Sequence, residues 1–281
     1  MSTEKLMFGV WGAPGSGKTT LAVNMATVLA DSGFLTCLVS GTDHGELQAF
    51  FGTSVPKGKG LYAAISSGHN VSESLVAARQ NLYILELDTG GDSFDIATIT
   101  PEQVSYVLGD LRDRFSYVVV DCTSHKESTF TGVGLAEADR AIITVPHRVS
   151  AATWHISNKQ LLDAIKPKTI YVDSDTREGG CDMSQLLASI PLPDCNIKLN
   201  CVDEAYLCEN EGRPIVTVGG RAAKRYRAAV LELIHFILES ERQKDIARQK
   251  AYQPQNEDTA ESESESEPVK KKGLFGGLFG K

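Results

Sequence analysis

A chain of 281 residues with 42% hydrophobic and 23% charged residues has the composition of a soluble globular protein, with room for one large α/β domain plus appendages. Its formal charge of −8 argues against gripping nucleic acid with its whole surface, and the apolar run "AVLELIHFIL", broken by Glu232, is too short to span a bilayer. The start "MSTEKLMFGVW" lacks a basic segment ahead of a long apolar run, and Cys37, Cys122, Cys181, Cys195, Cys201 and Cys208 form no C-x-x-C pair, which fits free thiols in a reducing cytoplasm.

The first expected element is a short buried strand, Leu6 to Trp11, followed by "GAPGSGKTT". Gly12, Gly17, Lys18 and Thr19 fit G-x-x-x-x-G-K-[ST], the loop that binds nucleoside triphosphates. Leu21, Met25, Val28 and Leu29 then recur at helical spacing, and Gly33 is a plausible stop. Strand, glycine turn and helix thus come in the order this chemistry needs. Gly12, Gly15 and Gly17 let the backbone approach oxygen atoms, and successive N–H groups with the positive helix end attract phosphates. Gly12, Ala13, Pro14, Gly15, Ser16, Gly17, Lys18, Thr19 and Thr20 are therefore the candidate nucleotide contacts. Lys18 is suited to neutralise the outer phosphates, and the Thr19 hydroxyl to ligate Mg²⁺.

Further along, Leu35 to Ser40, Leu82 to Leu87, Tyr117 to Asp121, Ala141 to Val145 and Thr169 to Val172 read as buried strands, with another near Asn196 to Leu199. Helices are predicted over Pro101 to Arg112, Ala151 to Ile165, Met183 to Ser189 and Gly220 to Gln243. The alternation predicts an α/β fold with a doubly wound, mostly parallel sheet, whose ligands sit at the carboxyl ends of the strands. Thr42, Asp43, Asp121 and the glycine turn converge there in this reading. Asp121 closes four apolar residues, as a strand does when it delivers a carboxylate to a magnesium site; a helix-capping aspartate is the plainer alternative. His44 and His125 are read as loop residues near this edge, with no metal-ligand spacing.

With these parts in place the chain resembles the ParA/MinD group of P-loop ATPases, and within it the CpaE/TadZ pilus-assembly type, over about residues 7–238. "GAPGSGKTTLAVNMATVLADSG" and "FSYVVVDCTS" carry the resemblance most strongly; "ADRAIITVPHRVSAATW" and "LPDCNIKLNCVDEAYLCENEGRPIV" carry it more loosely. The resemblance implies ATP and Mg²⁺ as ligands, a homodimer when ATP is bound, slow hydrolysis, and the positioning of another assembly, of pilus or secretion kind. Three departures stand out. The group's early-loop lysine is replaced by Ala13, which offers no charge to phosphoryl transfer. Its first switch, two aspartates one residue apart, is here "VSGTDHGE", leaving Asp43 as the candidate water-orienting carboxylate. Its base-contacting asparagine is replaced by Asp173. Weak ATPase activity and a nucleotide-gated scaffold without turnover are both left open, and a bacterial tyrosine kinase is disfavoured because the tail has only Tyr252 instead of a tyrosine cluster.

The nucleotide domain is expected over residues 1–250. Residues 251–269 are polar and acidic, "QPQNEDTAESESESEPV", and are expected to be a disordered linker. Residues 270–281, "KKKGLFGGLFGK", flank Leu274, Phe275, Leu278 and Phe279 with Lys270, Lys271, Lys272 and Lys281. This suits an anionic membrane at the inner face of the cell, and resembles the anchor of MinD-type proteins; a short motif docking into a protein is the alternative. Arg221, Lys224 and Arg225 share a helical face, either solvated or a contact for DNA or anionic lipid.

Overall fold

The structure, a computed structural model, describes residues 5–66, 70–176, 197–203 and 205–252. The predicted helix Met183 to Ser189, the first residue of the strand expected from Asn196, the linker beyond Tyr252 and the 270–281 motif lie outside the described residues.

Strands β1 (Leu6–Gly12), β2 (Thr36–Ser40), β3 (Val76–Arg79), β4 (Leu82–Leu85), β5 (Tyr117–Asp121), β6 (Arg140–Pro146), β7 (Thr169–Thr176) and β8 (Ile197–Asn200) form one sheet, ordered β3-β4-β2-β5-β1-β6-β7-β8. All neighbours run parallel except β3 and β4. Helices are α1 (Lys18–Asp31), α2 (Leu47–Phe51), α3 (Gly60–Ser66), α4 (Val71–Ser74), α5 (Ser93–Ala97), α6 (Pro101–Arg114), α7 (Thr129–Glu137), α8 (Val149–Ser157), α9 (Lys159–Ile165), α10 (Ala205–Asn210) and α11 (Arg221–Tyr252). The doubly wound, mostly parallel sheet expected from the sequence is thus present.

Strands β1, β2, β5 and β6 are buried along their whole length, which is why they read as unbroken apolar runs. Met7, Trp11, Val118, Val120 and Ile143 share one core face with Val104, Val107, Leu108 and Leu111 of α6. Those four positions recur at helical spacing, and α6 begins with a capping box: Thr100 accepts from the Gln103 N–H, and the Gln103 side chain accepts from Thr100. Packing divides the chain into a compact unit ending at Ile237 and a second unit from Leu238.

Three details differ from the sequence reading. The strand expected to reach Leu87 ends at Leu85, because the Glu86 carbonyl leaves the ladder to accept from Leu61 N. Strand β3 precedes it, turning back through Asn81 in the left-handed region (φ 60). The helix expected over Ala151 to Ile165 is two helices that meet at Asn158, where the backbone leaves helical geometry (φ −105, ψ 10) and Asn158 Nδ2 donates to the Trp154 carbonyl.

Candidate functional site

Parallel register assembles the site. Val10 lies opposite Asp121 and Gly12 opposite Thr144, so β1, β5 and β6 end at one edge of the sheet. A side chain cannot fit at Gly12, where a Cβ would stand 2.2 Å from Thr144 Oγ1 and 2.7 Å from the Thr144 carbonyl. That closeness lets Thr144 Oγ1 donate to the Trp11 carbonyl at 3.3 Å and pair with the buried Ser16 hydroxyl at 2.6 Å. Ser16 N closes the turn on the Ala13 carbonyl. Gly17 then takes a left-handed conformation (φ 77) directly before α1 and supplies no side-chain cap. The first-turn N–H groups of a 14-residue helix are left without a side-chain acceptor, as an anion site requires.

Thr19, in that first turn, donates to Asp121 Oδ2 at 2.9 Å and lies 3.3 Å from Glu46 Oε1. Asp121 is fully buried, and its Oδ1 has no hydrogen-bond partner among the described residues. Burial, helped by the Glu46 charge, pushes Asp121 up to about 7, against the pull of Lys18 and the Thr19 hydroxyl. Burial also raises Glu86 to about 7, although its oxygens accept from Leu47 N at 2.8 Å and Gln48 N at 2.7 Å. Glu86 follows β4 and so fixes the start of α2, just after Glu46.

These groups fit a magnesium ion. A hydroxyl, an orphaned carboxylate oxygen and a neighbouring carboxylate are hard oxygen donors, and Mg²⁺ keeps several waters besides. Among the described residues no three His, Cys, Asp or Glu side chains form a metal cage. The glycine turn borders two clefts. One, of about 720 Å³, is lined by Gly15, Lys18, Thr42, Asp43, Glu46 and Ser124. The other, of about 440 Å³, is lined by Gly15, Gly17, Thr20, Arg148, Asn200 and Tyr226. A triphosphate crossing the turn would have its outer phosphates beside Lys18 and its sugar and base in the second cleft.

The loop after Asp121 is held by two indoles. Trp11 Nε1 donates to the Thr123 carbonyl at 2.8 Å and Trp154 Nε1 to the Ser124 carbonyl at 3.0 Å; the rings meet edge to face, 4.5 Å between centroids.

Of the residues singled out in the sequence, Lys18, Thr19, Asp121 and the glycine turn come together. Asp43 lines the same cleft, but its side chain is 69% exposed and pairs with His44 Nδ1 at 2.8 Å; that bond holds Asp43 below the usual carboxylate range and raises His44. Ala13 is buried, 3% exposed. Asp173 is buried and bonded to His147 Nε2 at 2.6 Å. Arg221, Lys224 and Arg225 are exposed on α11. Sequence reasoning missed Glu46 and Glu86. Glu86 did leave a trace, as the one acid inside the apolar run "LYILEL".

A parallel strand, a glycine turn, a helix and a carboxylate ending the adjacent strand define a P-loop fold. No protein-family model matches the chain. The septum site-determining protein MinD of Bacillus subtilis (strain 168) is 29% identical over 227 residues, spanning 77% of this chain and 84% of that protein. Among solved structures, the cell division ATPase MinD of Pyrococcus furiosus superposes with a TM-score of 0.70 at 18% identity, covering 83% of this chain and 99% of that one. MinD of Pyrococcus horikoshii OT3, complexed with Mg-ADP, gives 0.69 at 16% identity, with coverage of 82% and 96%. A ParA family ATPase of Chlorobium tepidum TLS gives 0.68 at 15% identity, with coverage of 82% and 98%. The fold is that of MinD and ParA proteins, and the sequence similarity to MinD of Bacillus subtilis extends over most of both chains.

Proposed function

We propose that the protein binds ATP with Mg²⁺, hydrolyses it slowly, and works as a MinD/ParA-type positioning factor for a cell-envelope apparatus of pilus or secretion kind. Lys18 and the backbone of the glycine turn bind the phosphates, and Thr19 and Asp121 hold the metal. The Thr19–Asp121 bond with its orphaned second oxygen, set beside an uncapped helix start, carries this reading. When bound, the metal neutralises charge on the outer phosphates. The chain's own groups do the rest: the turn and α1 fix the phosphates, Lys18 screens them, and Thr19 and Asp121 offer their oxygens to the metal. An ATP-bound homodimer, and contact of residues 270–281 with an anionic membrane, belong to the same proposal through the resemblance to MinD-type proteins.

Calorimetric titration tests it: wild type should bind ATP with Mg²⁺, and Lys18→Ala should lose that binding. Equal affinity in both proteins refutes the assignment. A nucleotide-gated scaffold without turnover is the second reading, favoured by the neutral, buried Ala13 where the group carries lysine. Phosphate release with and without anionic liposomes separates the two. Stimulation by DNA instead, lost in Arg221→Ala/Lys224→Ala/Arg225→Ala, would identify a partition ATPase.

A further inference from the structure

The Thr19 hydroxyl has one proton and two carboxylates within reach, Asp121 Oδ2 at 2.9 Å and Glu46 Oε1 at 3.3 Å. Asp121 is the nearer acceptor. Its other oxygen is buried without a partner among the described residues. Two carboxylates bracketing one hydroxyl, one of them fully buried and the other on the wall of the larger cleft, repel each other unless a cation lies between them. Glu46 is also held in place. Glu86, fully buried, accepts from the two N–H groups that follow Glu46, and Gln48 Nε2 donates to the Gly45 carbonyl just before it. The Gln48 Oε1 atom in turn accepts from Val55 N and from the Thr89 hydroxyl. The second Glu46 oxygen faces His44 Nε2 at 3.9 Å. Asp43, three residues earlier, has no such support: it is exposed, and its bond is to an equally exposed His44.

We propose that Glu46 is a further carboxylate of the divalent-cation site, acting on the ion directly or through one of its waters, and that Glu86 is the positioning residue that holds it there. This deepens the nucleotide-binding reading and rests on it. In this chain the acid that completes the metal site therefore comes from the start of α2, not from the Asp43 turn.

The test measures metal coupling: the ratio of dissociation constants for a fluorescent ATP analogue in EDTA and in Mg²⁺, on the full chain. Glu46→Gln should shrink that ratio by about tenfold while leaving the EDTA affinity intact. Binding of Mn²⁺ to the protein–nucleotide complex, followed by its spin-resonance signal, should weaken to the same extent. Glu46→Asp should recover part of the coupling. Glu86→Gln should lose about threefold, less than Glu46→Gln, because it acts only through placement. The EDTA affinity shows in the same experiment that each variant is folded. Unchanged coupling in Glu46→Gln overturns the proposal, and so does a loss that follows Asp43→Asn instead. A failure of the broader reading looks different: wild type would show no metal coupling, or Lys18→Ala would bind as wild type does.

Discussion

Two loops meet at Thr19, and they are built in opposite ways. The turn at residues 13–17 is made of backbone: its shape follows from Gly12 pressed against Thr144 and from Gly17 in a left-handed conformation, and its partners are main-chain groups or a neighbouring strand. The loop at residues 41–46 is made of side chains. Its key acid, Glu46, is placed by Glu86, some 40 positions away, through the N–H groups at the start of α2. A site coded by backbone leaves a local signature of glycines. A site coded by side chains takes its geometry from whatever the fold brings alongside.

The largest effect should come from adding one methyl group to the backbone-coded loop. Gly12→Ala puts a Cβ 2.2 Å from a hydroxyl oxygen and 2.7 Å from a carbonyl of a central strand, so destabilisation of about 3 kcal/mol is expected in chemical denaturation. If the variant kept wild-type stability, the turn would be more pliable than the contrast allows. Lys18→Ala comes next, with at least tenfold weaker ATP binding by calorimetry and little change in melting temperature, because a half-buried lysine on a cleft wall supports the ligand more than the fold.

A pH titration probes the side-chain-coded half. Asp121 and Glu86 titrate near 7 in the folded chain, against an ordinary carboxylate value near 4 when unfolded. Between those values the folded state holds protons that the unfolded state releases. Their contribution is therefore full below about pH 4 and is lost as pH rises through 7. The nucleotide-free protein should lose stability from pH 6 to pH 7, on the order of 2 kcal/mol from the two groups together. Asp121→Asn or Glu86→Gln should flatten that slope, and a slope identical to wild type in both would show that neither acid is strained. Trp11→Phe removes one hydrogen bond to the Thr123 carbonyl and part of a fully buried ring packed on Trp154, and should cost about 2 kcal/mol by thermal melting.

The same contrast explains what could be read from the chain. The central strands were legible because burial on both faces makes them apolar throughout, and the glycine turn because its conformations restrict residue choice. Strand β3 was not, since "VAARQNLYIL" turns at Asn81 without a glycine and β3 alternates half-buried with exposed positions. The break at Asn158 was hidden because an asparagine inside an amphipathic pattern has no fixed meaning until its side chain picks a carbonyl. At the site, Thr19 and Asp121 were found because each ends a recognisable local pattern. Asp43 drew attention by its place after β2, whereas Glu46 is distinguished only by its 3.3 Å approach to the Thr19 hydroxyl and by the support of Glu86.

The chain has two tryptophans, and both indoles are bonded to consecutive carbonyls of the loop that follows Asp121. Intrinsic emission is therefore not averaged over distant parts of the molecule. Any rearrangement of that loop on loading must lengthen one of these bonds or change the angle between the rings, so stopped-flow fluorescence of the unlabelled protein reads the event directly.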